Sequence, residues 1–373
     1  MKRTRMGLTL ASLFLVCAMA VNLAGCSAGV QAKNLMEGVT PKNVSAQAAP
    51  GSLDADVAGF AVRLFQASEK SGENTLVSPL SVLCALAMTA NGAEGETLEQ
   101  MESVLGMTAE ELNGYLYSYM KKLPQGKDCK LSLANSIWFT EDKRFTVEQD
   151  FLQVNADYYG ADIYQAPFND QTCKDINNWV KQKTDGMIPE ILDQIPPEAV
   201  MYLVNALAFD AEWSKVYEKH QIRDGKFTKE DGTRQDAEFM YSSEGVYLED
   251  EKASGFMKYY KGGRYAFAAM LPNEGVSVSE YIASLSGGAL RAMLAEPQHT
   301  TVQASIPKFE TRYSVEMSDI LREMGMPRAF ESDSAEFEGL GAFADGNIYI
   351  SRVLQDLYLG GREGDKGRRG DHG

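Results

Sequence analysis

Histidine chemistry in this chain can rest on only three residues, His220, His299 and His372, and thiol chemistry on five cysteines. A hydrolase needs a nucleophile within reach of a base, and no G-x-S-x-G or H-E-x-x-H run occurs to supply one. His220 sits among charged residues and His299 follows a proline-glutamine turn, which is the setting of solvated loop histidines rather than of a catalytic base. A metal site built on histidines, or a dense disulfide framework, is excluded by count, so no metal and no cofactor is expected. The sequence therefore predicts a protein that is not an enzyme.

Charge narrows the partners. Thirty-six basic residues against fifty-two acidic ones give a net charge of −16, which repels nucleic acid and leaves no basic stripe for a phosphate backbone. With 373 residues and 44% apolar content the chain can build a sizeable core.

The N-terminus reads as an export signal. Lys2, Arg3 and Arg5 precede an apolar run from Leu8 to Val21, shorter than a membrane span requires and ending in small residues. Leu23-Ala24-Gly25-Cys26 resembles the bacterial lipobox, which implies cleavage before Cys26, a lipid on that cysteine and a protein held at the cell envelope or extracellular surface. Residues 1–25 are thus expected to be a lipoprotein signal peptide. Residues 26–51, small and polar without apolar period, are expected to be a flexible tether. Of the remaining thiols, Cys84, Cys129 and Cys173, at most one pair can join, and Cys84 falls inside an apolar helical pattern as a buried thiol.

The elements that follow are mixed. Apolar residues at helical spacing predict a first helix over 55–71, and Ser78-Pro79 opens a second over 80–91, apolar nearly all round and therefore buried. Shorter helical patterns cover 97–105, 108–122, 147–159, 172–183, 277–285 and 314–324. Strand patterns cover 131–139, 239–247, 255–260, 265–271 and 300–306, and the uncharged run 201–209 suits the middle of a sheet covered on both faces. Clustered helices with mostly hairpin-linked strands argue for α+β rather than alternating α/β.

Several of these segments, taken in order, resemble the serpins, the suicide-substrate inhibitors of serine and cysteine proteases. Asn74-Thr75-Leu76-Val77-Ser78-Pro79-Leu80-Ser81-Val82 is similar to the start of the family's second helix, continuing through Asn91-Gly92-Ala93. Asn177-Asn178-Trp179-Val180 with Thr184-Asp185-Gly186-Met187-Ile188 is similar to its N-x-W-V…T-x-G-x-I. Leu203-Val204-Asn205-Ala206 with Phe209 and Trp213 is similar to its L-V-N-A-x-x-F-x-G-x-W, with Ala211 in place of the glycine. Ile306-Pro307-Lys308-Phe309, Met324-Gly325 and Ala335-Glu336-Phe337 follow in family order.

The resemblance implies one domain over residues 52–354, with a mixed main sheet of five strands, two smaller sheets and about nine helices. It implies an exposed bait loop that, once cut by a target serine or cysteine protease, inserts into the main sheet as a new strand. Ser78, Ser81 and Asn205 match positions of the hydrogen-bonded shutter under the opening sheet, and Trp213 matches the place where insertion begins. The complete protein is expected to be a monomer.

Beyond Leu354 the family pattern fails. Gln355 stands where the shutter histidine is expected, and residues 355–373 carry glycines and an Arg-Gly-Asp triplet in place of the hinge, reactive bond and C-terminal strands. A shifted reading frame accounts for this. With codons chosen within the degeneracy of the code, restoring one CA turns Gln355-Asp356-Leu357-Tyr358 into H-K-T-Y, and the same shift reads Arg362 to His372 as E-K-G-T-R-A-G-A-V-T-T. Residues 355–373 are therefore expected to be an out-of-frame tail, and the chain as read to lack inhibitory activity. A non-inhibitory binding or structural lipoprotein of the same fold is the alternative.

Overall fold

The computed structural model describes residues 30–44, 51–70, 72–123, 129–142, 145–196, 198–344 and 346–362. The signal peptide, Cys26, His372 and residues 363–373 lie outside them. Among the described residues no helix is long and apolar enough to cross a membrane.

Part of the segment expected to be a tether docks instead. Its short strand β1 (Lys33–Asn34) follows two backbone amides, Gln31 N and Ala32 N, that donate to Asp175 Oδ2 at 3.0 and 2.8 Å. Val30 and Ala32 pack on the apolar core that contains Trp138, Tyr164 and Ile176. Composition could not show this, because the acceptor lies more than 140 residues away.

The first helical layer comprises α1 (Gly51–Ser68), α2 (Pro79–Ala90), α3 (Gly95–Leu105) and α4 (Ala109–Lys122). The Ser78 hydroxyl accepts from Ser81 N, and Pro79 fills the first turn, where no amide partner is needed, so α2 starts where its sequence predicts. Gly106, at φ +80°, turns the chain out of α3. Thr108 and Glu111 then form a reciprocal cap on α4.

The strands β2 (Cys129–Thr140) and β3 (Phe145–Val147) lead to α5 (Gln149–Tyr159), β4 (Asp162–Ala166), α6 (Asp170–Lys183) and the central strand β5 (Met201–Glu212). Next come β6 (Ile222–Thr228), β7 (Arg234–Glu244), β8 (Tyr247–Glu249), β9 (Ala253–Tyr259) and β10 (Ala266–Pro272). After α7 (Val278–Ser284) and α8 (Gly287–Ala295) the chain forms β11 (Val302–Pro307), β12 (Thr311–Glu316), α9 (Ser318–Met324), β13 (Gly341–Phe343) and β14 (Arg352–Arg362). The α+β class agrees with expectation, and so do the nine helices found among the described residues.

The main sheet runs β1-β4-β2-β5-β14-β12. It has six strands rather than five, because β1 pairs antiparallel with β4 and extends that edge. Two three-stranded sheets, β8-β9-β10 and β6-β7-β11, and the small pair β3-β13 complete the set. Residues 314–324, expected as one helix, divide into the end of β12 and α9. The helical spacing of Met317, Ile320 and Leu321 belongs to α9, whereas pairing with β14 claims residues 314–316 as part of an edge strand. Residues 355–362, expected as an out-of-frame tail, continue β14 and pair with both β5 and β12. Each face of the main sheet is covered. Leu86, Met201, Leu203 and Val353 belong to the core on the α2 side, while Trp179, Tyr202, Val204 and Leu354 belong to the core under α6.

Candidate functional site

The β5–β14 ladder is parallel in a neighbourhood that is otherwise antiparallel: β2 runs antiparallel to β5, and β12 antiparallel to β14. The register is continuous from Arg352↔Tyr202 to Arg362↔Glu212. A strand placed between β5 and β14 could run antiparallel to both, and a chain leaving β14 by a tight turn would arrive in that direction, since antiparallel neighbours can be joined by a hairpin. The sheet has a second parallel ladder, β2–β4, but of the two only the β5–β14 seam is bordered by β14 and so lies beside a chain that leaves that strand.

A buried polar network lies under the middle of this seam. Alternation along β5 and β14 turns Asn205 and Gln355 toward the α2 face, where the N-terminus of α2 brings Ser78 and Ser81. Gln355 Nε2 donates to Asn205 Oδ1 at 3.3 Å and to the Ser78 carbonyl at 3.2 Å, while its Oε1 accepts from Ser78 N at 3.2 Å. Ser78 Oγ donates to Ser81 Oγ at 3.0 Å, and Asn205 Nδ2 donates to Asn135 Oδ1 on β2. Ser81, Asn205 and Gln355 are fully or almost fully buried. Burying these amides and hydroxyls is tolerable because each finds partners, and the same bonds tie β2, β5, β14 and α2 together.

The structure thus brings Ser78, Ser81 and Asn205 into one network and seats Gln355 at its centre. Asn135 joins them although nothing in its local sequence marks it; its role follows from lying opposite Asn205 across the β2–β5 ladder.

Trp213 lies elsewhere, just beyond the end of β5. Its ring stacks on Tyr260 with centroids 4.3 Å apart and meets Phe267 edge-on. Trp213, Tyr260, Met240, Phe309 and Leu359 line a cavity of about 130 Å³ with Lys308 and Glu310 at its margin. Beside this cluster is a buried ion pair the sequence did not reveal: Lys258 Nζ lies 2.6 Å from Glu244 Oε1 and 4.5 Å from the Tyr217 ring centroid. The charge is held by its counter-ion and an aromatic face together.

On the other face of the seam, Asp356 is fully buried. Arg312 Nε and Nη2 reach its two oxygens at 3.3 and 3.1 Å, and Ser314 Oγ donates at 2.6 Å.

None of this is the geometry of covalent catalysis. His220 is well exposed beside Glu218, and His299 is exposed. Among the described residues no cluster of histidine, cysteine and carboxylate side chains could hold a metal ion. Cys84, Cys129 and Cys173 are free and buried, and burial pushes the Cys84 thiol up to about 12. What the site can do is mechanical: it holds closed a seam whose topology allows one more strand.

Comparison with known proteins shows the family. The family model described as serpin (serine protease inhibitor) matches residues 55–365. The chain belongs to the serpin family. A thermophilic serpin, tengpin, is 46% identical in its native-state crystal structure, which superposes with a TM-score of 0.87 over 92% of this chain and 91% of that one. The latent-state structure of tengpin gives 0.77 at 50% identity, covering 84% of this chain and 85% of that one. An uncharacterized serpin-like protein of Thermococcus kodakarensis is 27% identical over 278 residues, 73% of this chain and 65% of the relative. This serpin therefore spans just under two thirds of that relative's length.

Proposed function

We propose that this serpin is the framework of a suicide-substrate inhibitor of serine or cysteine endopeptidases, carried on the cell surface through a lipid on Cys26. The observation that carries the reading is the continuous parallel β5–β14 seam with a satisfied polar network beneath it. A bait loop leaving β14 could insert there after cleavage and replace one parallel ladder with two antiparallel ones. The greater likeness to the native than to the latent tengpin structure supports a sheet that has not yet accepted that strand. Such a fold stores the energy of the missing strand behind a kinetic barrier. In this reading the partner is a protease, the complete protein is a monomer, and no nucleic acid is involved.

The bait bond is assigned downstream of β14. In the frame given, residues 363–373 read EGDKGRRGDHG, too charged and too rich in glycine to insert as a buried strand. That composition favours the second reading, a non-inhibitory surface protein of serpin fold, for the chain as it stands.

One experiment separates them. Genomic DNA is resequenced across the codons for residues 354–373 and beyond, and the resulting protein is incubated with a panel of trypsin-like, chymotrypsin-like, subtilisin-like and papain-like proteases. The inhibitory reading expects a restored frame with a small-residue hinge and a complex with one protease that survives boiling in detergent. An unchanged frame, or cleavage with no stable complex in any case, overturns it. Lipid on Cys26 is tested separately by labelling with a palmitate analogue, which a Cys26→Ala variant should abolish.

A further inference from the structure

Within the stretch expected to be a tether, the body takes hold of the chain close to Cys26. Only Ser27, Ala28 and Gly29 stand between that cysteine and Val30. Val30 and Ala32 pack on the core under α6, while Leu35, Met36 and Val39 pack on the core of the α2 side. Polar bonds fasten the same stretch: Gln31 N and Ala32 N donate to Asp175, Leu35 N donates to the Ile163 carbonyl at 2.8 Å, and Gln153 Nε2 donates to the Thr40 carbonyl at 3.0 Å. An anchor on Cys26 therefore stands within about 14 Å of Val30, the fully extended reach of four residues. A free tether from Cys26 to the start of α1 at Gly51 would reach about 90 Å and average about 25–30 Å.

Strand register fixes which end of the molecule is held. β1 runs antiparallel to β4 with Lys33 opposite Gln165, so the residues before Lys33 lie toward Ala166. Ala166 is level with Thr140 at the end of β2, and Phe139 is level with Met201 at the start of β5. Tyr202 is level with Arg352, where β14 begins. Val30 thus stands at the pole where β5 and β14 start. β14 runs parallel to β5 and points to the opposite pole, where Cys129 is level with Ala211; that direction is already set by Arg352, Val353 and Leu354, which precede residue 355. The twelve residues of β5 put about 36 Å between the two poles.

We propose that the docked residues 30–36 make this pole a membrane-facing surface: the bilayer that holds the lipid of Cys26 lies against the corner formed by β4 and α6, and the end from which a bait loop leaves β14 points outward. The occupant is the lipid headgroup layer, because three residues are all the chain that separates it from the docked segment. Exposed charges at the corner are mixed, Lys33 and Lys174 against Asp170 and Glu141, so the short connection rather than charge attraction keeps the bilayer here. A protease diffusing outside the envelope then meets the bait end about 36 Å beyond the held pole, whereas a free tether would let the body tumble and bring either pole to the lipid. The orientation rests on the lipid at Cys26 proposed above; the docking does not.

Energy transfer on vesicles tests the orientation. The lipidated mature chain is reconstituted into vesicles of phosphatidylethanolamine and phosphatidylglycerol that carry a rhodamine-labelled headgroup, with a donor dye on Lys174→Cys at the held pole or on Lys215→Cys just beyond the end of β5. Both positions are exposed, and Cys84, Cys129 and Cys173 are buried, so the dye goes to the introduced cysteine. The expected transfer rate is at least fivefold higher from position 174 than from position 215. Inserting about twenty glycine and serine residues between Cys26 and Val30 leaves the docked segment intact and should bring the two rates within about twofold of each other. Equal rates in the parent chain overturn the orientation, and so does a difference that survives the insertion, which would mean that the surface adheres to lipid by itself. Protein that does not float with the vesicles overturns the lipid on Cys26; the mature chain with a histidine tag in place of Cys26, held on nickel-chelating vesicles of the same lipids, then decides by the same comparison whether a short N-terminal anchor orients the body.

Discussion

Gln355 on β14 and Asn205 on β5 are register partners across the parallel seam, and the Gln355 amide donates to the Asn205 side chain at 3.3 Å. Two buried amides facing each other stabilise the closed seam only while both are present. Gln355→Ala is expected to cost about 2–4 kcal/mol, because Asn205 and the Ser78 backbone, both buried, lose a partner. Asn205→Ala should cost a similar amount, and the double variant less than the sum, with a coupling of about 1 kcal/mol. Urea denaturation of the four proteins measures this. Additivity within about 0.3 kcal/mol would show that the pair does not interact.

The Lys258–Glu244 pair offers a sharper contrast. With both side chains almost fully buried, Glu244→Ala leaves an ammonium with no counter-ion and should destabilise by about 3–5 kcal/mol. Glu244→Leu combined with Lys258→Met should be far milder, near neutral if the volume is filled. Denaturation midpoints that fall equally in both variants would contradict a charge-pairing role.

Alkaline pH should weaken the fold. Burial raises the Cys84 thiol from its ordinary value of 9.0 to about 12, so the native state favours the protonated form. The associated stability is fully present below about pH 9 and lost as pH rises toward 12. Burial pushes Tyr164 and Tyr265 up to about 12 as well, which adds to the loss above their ordinary value of 10.0. Urea midpoints at pH 7, 9 and 10.5 should hold steady over the first interval and drop over the second. At pH 8 the native Cys84 should react with Ellman's reagent roughly a thousandfold more slowly than after unfolding, the ratio of thiolate fractions for a three-unit shift.

Docking of the N-terminal segment depends on one carboxylate. Asp175 is 2% exposed and accepts from both Gln31 N and Ala32 N. Asp175→Asn keeps the shape but replaces charge-assisted bonds with neutral ones, for an expected loss of about 1–2 kcal/mol. Residues 30–36 should then become a site of limited proteolysis while the body stays intact. A cleavage pattern identical to that of the parent chain would show that the segment is held by its apolar contacts alone.

What the sequence by itself determined is what local forces decide. Ser78-Pro79 set the start of α2 because a cap acts over three residues, the uncharged run from Met201 marked a strand buried on both faces, and ordered motifs pointed to the family and so to Ser78, Ser81 and Asn205 as neighbours. Tertiary structure alone decided the rest. The sixth strand exists because Asp175 captures a backbone far from it in sequence, and residues 311–316 became a strand because β14 offered them a ladder. Asn135, the Lys258–Glu244 pair and the Arg312–Asp356 pair were not legible, since each joins segments whose register is fixed only when the strands compete for partners. Capping and periodicity act within one or two turns of the chain. Register and buried charge pairing are settled between elements, where contact depends on which strands meet.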